Sequence, residues 1–153
     1  MKDLRRIISV VFVILFFACN CFGATQSEVK QAIIKQANAM GVEPAIVLSI
    51  AKTESGFRQE ARGAGGAVGV FQLMPATAKN MGINPYNLDD NIRGGIQYYK
   101  NMYKKFGSME LAVAAYNTGP EAIRRSNYKI PYSAQKFVNK IMADYSYYKK
   151  QQL

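Results

Sequence analysis

Apolar residues recur at helical spacing along most of the chain, and glycine or proline separates the repeating segments. Thr25 and Glu28 fit a capping box that opens a helix, which Gly41 ends. Pro44 predicts the start of a second helix, which is apolar on nearly all sides and should therefore be buried as far as its end near Gly56. Residues 57–73 are rich in glycine and have little helical period, so they predict a loop or short β turns.

The second half of the chain predicts five more helices. They run from Pro75 to Met81, from Asp90 to Phe106, from the capping residue Ser108 to Tyr116, from about Pro120, and from Ser133 to Lys149. Two inward faces are predicted: Ile92, Ile96, Tyr99, Met102, Tyr103 and Phe106 in one helix, and Phe137, Val138, Ile141, Met142 and Tyr145 in the last. The pattern indicates a mainly α fold in a single compact domain, with any β element small and confined to residues 57–73.

The N-terminal residues differ from the rest of the chain. Lys2, Arg5 and Arg6 form a positive start, an apolar run follows to Cys19, and small residues follow as far as Gly23. This order predicts a cleaved secretory signal peptide over residues 1–23 and a domain over residues 24–153. The alternatives are an uncleaved membrane anchor, for which the run is short, and a lipoprotein signal cut before Cys19. Both cysteines lie in this segment, so the cleaved product would have no disulfide framework.

The chain is basic, with 20 Lys and Arg residues against 10 Asp and Glu residues and a net charge of +10. Such a charge suits a polyanionic partner, such as a cell-wall polymer, nucleic acid or lipid surface. The positive residues are scattered, however, and a solvated soluble surface explains them equally well. No RNA-recognition or zinc-finger pattern is present, so nucleic acid is not the expected partner.

Candidate chemistry narrows to carboxylates, because the sequence contains no histidine. Ser-His and Cys-His catalysis and HExxH metal sites are therefore excluded. The glycine-rich residues 63–69 lack the Gly-Lys-Ser/Thr ending of a phosphate-binding loop. Glu54 ends the most apolar helix, where partial desolvation and the negative end of the helix dipole would raise its pKa. From this context alone, a surface glutamate, or one paired with a lysine, is favoured over a catalytic one.

Four segments in a fixed order resemble the family 1 lytic transglycosylases, the soluble lytic transglycosylase domain of the lysozyme superfamily. The segments are Glu54-Ser55-Gly56-Phe57, Gly69-Val70-Phe71-Gln72-Leu73-Met74-Pro75, Asn91-Ile92 with Gly94-Gly95 and Tyr98-Tyr99, and Ala115-Tyr116-Asn117-Thr118-Gly119-Pro120. The resemblance as a whole covers residues 28 to about 145. The resemblance implies an α+β, lysozyme-like fold with a catalytic cleft.

The resemblance also implies the site residues. Glu54 is implied as the single catalytic acid and base, with the hydroxyl of the Ala-Tyr-Asn tyrosine close to its carboxyl. The implied substrate-binding residues are Ser55, Phe71, Gln72, Tyr116 and Asn117. The sequence departs from the family at Val70-Phe71, which replaces a Leu-Met pair, and at Phe137, which lacks the usual tyrosine hydroxyl. Phe71 would still offer a flat apolar surface to a sugar ring.

The implied reaction cleaves the β-1,4 bond between N-acetylmuramic acid and N-acetylglucosamine and leaves a 1,6-anhydromuramyl end, with no metal or cofactor. The expected partners are peptidoglycan glycan strands, and also pilus or secretion-system components if the enzyme opens the wall locally for their assembly. The protein is expected to be a periplasmic monomer. Two alternatives remain open: a hydrolytic lysozyme, and a catalytically silent peptidoglycan-binding module.

Overall fold

The structure is a computed structural model that describes residues 23–151. The predicted signal peptide, with Cys19 and Cys21, lies outside the described residues except for Gly23. Within them, seven α-helices follow one another: α1 (Gln26–Ala39), α2 (Pro44–Ser55), α3 (Pro75–Asn80), α4 (Leu88–Phe106), α5 (Met109–Thr118), α6 (Pro120–Arg125) and α7 (Tyr132–Lys150). The mainly α fold class is thus confirmed, and the helix bounds differ from the predicted ones by only a few residues.

The first two helices form where local sequence signals place them. The Thr25 hydroxyl accepts the Glu28 N–H at 3.3 Å, and the Glu28 carboxylate accepts the Thr25 N–H at 2.7 Å, which completes the capping box. In α2, every residue from Pro44 to Ala51 is buried, as its continuous apolar sequence predicts. Gly56, with φ of 62°, ends α2 in the left-handed conformation.

The core forms around α2, which packs against α1, α4 and α7, while α5 packs against α4, α6 and α7. The predicted inward face of α4 is correct for Ile92, Ile96, Tyr99 and Met102, which are all buried. It is wrong for Tyr103, whose side chain is 47% exposed. Adjacent helix residues point about 100° apart, so Met102 and Tyr103 cannot both face the core squarely.

The loop after α2 contains little regular structure. Residues Ala64–Gly66 form one 3-10 turn, and isolated antiparallel bridges join Arg62 to Val68 and Val68 to Leu73. This agrees with the predicted loop or short β turns. None of the helices in residues 23–151 combines the length and apolar character that a membrane crossing needs.

Candidate active site

Glu54 lies in the last turn of α2, where the chain turns through Gly56 into the loop. Its side chain is half-buried, and this burial raises the pKa of Glu54 from 4.5 to about 7. Desolvation has this effect because it penalises the ionised carboxylate more than the neutral acid. Near neutral pH, both protonation states are therefore populated, which is the condition for a group that must first donate and then accept a proton.

Ser55 joins the end of α2 to the loop. It is only 5% exposed. Its hydroxyl donates to the Val70 carbonyl oxygen at 2.8 Å and accepts the Arg58 N–H at 3.1 Å. The predicted contact between Ser55 and substrate is therefore not available in this structure. Instead, Ser55 fixes Val70 relative to the helix turn that carries Glu54.

Phe71 is not a cleft residue, which corrects the prediction. Its side chain is 0% exposed, and it packs so closely on α4 that a Cβ added at Gly95 would lie 2.1 Å from Phe71 Cγ. The ring is therefore core, with no surface left for a sugar. The backbone of Phe71 takes part instead: its N–H donates to Asn91 Oδ1 at 2.9 Å, and its carbonyl accepts a hydrogen bond from Tyr116.

Tyr116 lies near Glu54, but its hydrogen bond goes elsewhere. The hydroxyl donates to the Phe71 carbonyl oxygen at 2.8 Å, whereas the resemblance led us to expect the Glu54 carboxyl beside it. Burial raises the pKa of Tyr116 well above its usual value, and the negative charge of Glu54 raises it further. The edge of Tyr98 packs on the Tyr116 ring at 5.1 Å between ring centroids. The two tyrosines therefore form one aromatic wall, and its Tyr116 lies near Glu54.

That wall borders a groove of about 290 Å³. Of the predicted residues, Gln72, Tyr116 and the exposed Asn117 line it. The full lining is Gln72, Leu73, Met74, Thr77, Tyr98, Tyr116, Asn117, Thr118 and Gly119. This lining combines apolar, aromatic and polar side chains, as ligand-binding clefts commonly do, and it includes no Asp or Glu.

Gln72 is held by its own loop. Its side-chain amide donates to the Gly69 carbonyl at 2.9 Å and to the Ala61 carbonyl at 3.3 Å. Gly63 makes this possible, because a Cβ there would lie 2.2 Å from Gln72 Oε1. The residue adopts a positive φ of 46°, which is uncommon outside glycine. The side chain of Gln72 therefore lines the groove in an orientation that these hydrogen bonds hold.

Met74 and Tyr98 line the groove although the sequence interpretation assigned them no role. Met74 is 42% exposed, and Tyr98 is half-buried with its pKa raised by burial. Both lie within the segments that resemble the transglycosylase family, so the sequence did indicate that they lie near the site. Helical periodicity alone could not show that they face the groove, because the groove forms only when the loop, α4 and α5 meet.

A larger cavity of about 660 Å³ lies away from these residues, between the α1–α2 turn and α4. None of the predicted site residues lines it. Its carboxyl group, Glu43, accepts a hydrogen bond from Lys149 at 2.6 Å, which lowers the pKa of Glu43. An acid held ionised cannot donate a proton near neutral pH, so this cavity is the weaker candidate for acid catalysis.

The sequence is similar to a known protein family and to known transglycosylases. The model of the transglycosylase SLT domain family matches residues 31–138. A transglycosylase of Enterobacteria phage PRD1 is 35% identical over 79 residues, which cover 51% of this chain and 30% of the phage protein. The soluble lytic murein transglycosylase of Salmonella typhimurium is 29% identical over 96 residues, 54% of this chain and 15% of that protein. The chain therefore spans less than a third of the length of these relatives.

Solved structures show the same fold. The 70 kDa soluble lytic transglycosylase of Escherichia coli aligns with a TM-score of 0.71 and 24% identity, over 80% of this chain and 24% of that one. An inactive mutant of the lytic transglycosylase Slt from Pseudomonas aeruginosa aligns with a TM-score of 0.69 and 25% identity, over the same shares. The likeness confirms the lysozyme-like fold that the sequence motifs implied.

Proposed function

Since the chain belongs to the transglycosylase SLT domain family, we propose that it is a peptidoglycan lytic transglycosylase that uses Glu54 as its single acid and base. The substrate is the glycan strand, cleaved between N-acetylmuramic acid and N-acetylglucosamine. The product carries a 1,6-anhydromuramyl end. The observation that carries the proposal is one carboxyl group with a pKa raised to about 7, near Tyr116, which lines a groove that has no Asp or Glu in its lining.

The lining of the groove contains no Asp or Glu, so it offers no carboxylate to act together with Glu54, and this separates the proposed reaction from ordinary glycoside hydrolysis. Glycosidases of the usual kind place two carboxyl groups about 5–10 Å apart, one as acid and the other as nucleophile or base. The groove offers amide, hydroxyl and aromatic groups instead. A reaction in which the substrate supplies the second partner fits such a site, because Glu54 then needs no carboxylate across the groove.

The steps balance without water. Protonated Glu54 donates its proton to the glycosidic oxygen, the bond to the muramyl anomeric carbon breaks, and the N-acetylglucosamine part leaves as an alcohol. The muramyl N-acetyl group stabilises the positive charge at the anomeric carbon. Ionised Glu54 then accepts the proton of the sugar's 6-hydroxyl, whose oxygen bonds to that carbon and closes the anhydro ring. Glu54 ends protonated, ready for the next cleavage.

Product analysis tests the proposal. Purified residues 24–153 are incubated with peptidoglycan sacculi in isotopically labelled water, and the released fragments are analysed by mass spectrometry. We expect 1,6-anhydromuramyl ends with no label. Reducing ends that carry the label would establish a hydrolytic lysozyme instead. Binding to sacculi without any release would establish a catalytically silent module.

We also propose that the enzyme acts in the periplasm and opens the wall locally for a pilus or secretion apparatus. The Lys2-to-Gly23 pattern supports export, and the resemblance to muralytic domains that open the wall locally suggests the role in assembly. N-terminal sequencing of the cell-derived protein should begin at Ala24 or Thr25. A lipidated Cys19 or a full-length membrane form would contradict the soluble periplasmic location. Pilus or secretion assembly should fail when Glu54→Gln replaces the wild type in cells.

A further inference from the structure

Asn91, near the start of α4, is completely buried and hydrogen-bonded on every side of its amide. Its Oδ1 accepts the Phe71 N–H at 2.9 Å. Its Nδ2 donates to the Val68 carbonyl at 2.8 Å and to the Pro85 carbonyl at 2.9 Å. A buried polar side chain that satisfies three separate backbone groups costs little by itself. Its loss would leave the buried Phe71 N–H without a partner, while the Val68 carbonyl would keep the Leu73 N–H and the Pro85 carbonyl would keep Gln59.

Gln59 acts on the same segment from the other side. Its Oε1 accepts the Val70 N–H at 3.3 Å, and its Nε2 donates to the Pro85 carbonyl at 3.0 Å. Gly69 lies between the two amides: a Cβ there would lie 2.4 Å from Asn91 Nδ2 and 2.7 Å from Gln59 Oε1. Asn91 and Gln59 therefore form an amide clamp around residues 68–71, and only glycine fits between its two arms.

The clamped segment connects directly to the candidate active site. The Val70 carbonyl accepts the hydroxyl of Ser55, the residue after Glu54, at 2.8 Å. The Phe71 carbonyl accepts the Tyr116 hydroxyl at 2.8 Å. The end of the catalytic helix and the groove wall are thus both attached to the peptide groups that the clamp holds. Neither clamp residue lines the groove.

We propose that Asn91 and Gln59 are positioning residues that set the distance between Glu54 and the Tyr116 wall of the groove. This inference rests on the proposed transglycosylase function. The clamp acts through the backbone of Val70 and Phe71 and never touches the sugar. Positioning of this kind affects catalysis strongly, because a displacement of about 1 Å at a reacting group can cost on the order of a hundredfold in rate.

The test is a double-mutant cycle on kcat. Asn91→Ala, Gln59→Ala and Tyr116→Phe are made singly, and each clamp variant is combined with Tyr116→Phe. Rates on soluble glycan strands are divided by the folded concentration. We expect kcat to fall roughly ten- to a hundredfold for Asn91→Ala and less for the half-buried Gln59→Ala, with KM nearly unchanged. The combined variants should be little slower than the slower single variant, because both changes break the same connection.

The matched control is Ile33→Ala, a fully buried site on α1 outside the clamp and the groove. It should lower stability by opening a cavity, keep kcat per folded molecule, and combine additively with Tyr116→Phe. If Asn91→Ala does not fold, Gln59→Ala decides the question. Unchanged kcat in the folded clamp variants, or rate losses that simply multiply with that of Tyr116→Phe, would overturn the clamp alone. A wild type that releases no product would overturn the proposed function and the clamp together.

Discussion

The stability of the fold should depend on pH through Glu54, and Glu54→Gln exposes this dependence. Burial raises the pKa of Glu54 from 4.5 to about 7. The fold therefore tolerates the neutral acid better than the carboxylate. Glutamine has nearly the same shape but never ionises, so the variant removes the cost of the buried charge and little else. Replacement of a buried charged group in an active site commonly stabilises the fold while it removes activity.

The sign and size of the effect follow from the two pKa values. The unfolded chain loses the Glu54 proton near 4.5, while the folded chain keeps it until about pH 7. Between these values the folded state binds more protons, so stability is fully present below pH 4.5 and is lost as pH rises through 7. At 1.36 kcal/mol per pH unit the loss reaches about 3 kcal/mol. Groove water screens the half-buried carboxylate, so we expect about 1–3 kcal/mol.

The assay is urea unfolding of residues 24–153 at about pH 4 and about pH 8. Glu54→Gln and wild type should be about equally stable at the lower pH. At the higher pH, Glu54→Gln should be the more stable by about 1–3 kcal/mol. Glu60→Gln is the control, because it removes a carboxylate at an exposed position in the following loop. The difference in unfolding free energy between this variant and wild type should not grow from the lower pH to the higher pH. An equal difference between Glu54→Gln and wild type at both pH values would refute the burial argument.

Three further outcomes are expected. Glu54→Gln should clear sacculi at least on the order of a thousandfold more slowly than wild type in a turbidity assay, while Glu60→Gln should clear them at a rate near that of wild type. Tyr116→Phe should lower the free energy of unfolding by about 1–3 kcal/mol in urea titrations, because it leaves the Phe71 carbonyl without its buried partner. No measurable change would mean that water replaces the hydroxyl. Gly95→Ala should cost about 1–3 kcal/mol or more, because its Cβ would overlap the Phe71 ring, and a neutral result in thermal unfolding would show that the ring can move.

Local sequence determined the helices. The capping box at Thr25, the proline at the start of α2, the left-handed Gly56 and the cap at Ser108 are all interactions within a few residues of the chain. Their energies do not depend on distant partners, so periodicity and end signals were enough to place the helices. Glu54 differs from the helix ends: its place at the end of an apolar helix predicted a raised pKa, but the desolvation that raises this pKa comes from burial in the folded protein.

Motif order determined the family and, through it, the catalytic candidate. It could not determine which side chains of a matched segment face the groove. Gln72 and Asn117 line the groove as predicted. Phe71 is buried instead, and the Ser55 hydroxyl donates its hydrogen bond to the Val70 carbonyl in the loop. Adjacent residues in an irregular loop follow no fixed period, so their directions are set by what packs against them.

Only the tertiary structure decided those directions. Phe71 turns inward because Gly95, far along the chain, leaves space for its ring. The Phe71 N–H finds its acceptor in Asn91, which is distant in sequence, and the same amide also donates to the Val68 and Pro85 carbonyls. Buried backbone groups need hydrogen-bond partners, and residues distant in sequence can supply them. The sequence alone therefore does not show that the Asn91 amide serves as such a partner, or that Gly95 leaves space for a ring. Helix caps and apolar periodicity involve residues close together in the sequence, so they can be recognised there. The shape of the groove depends on contacts between residues that are far apart in the sequence.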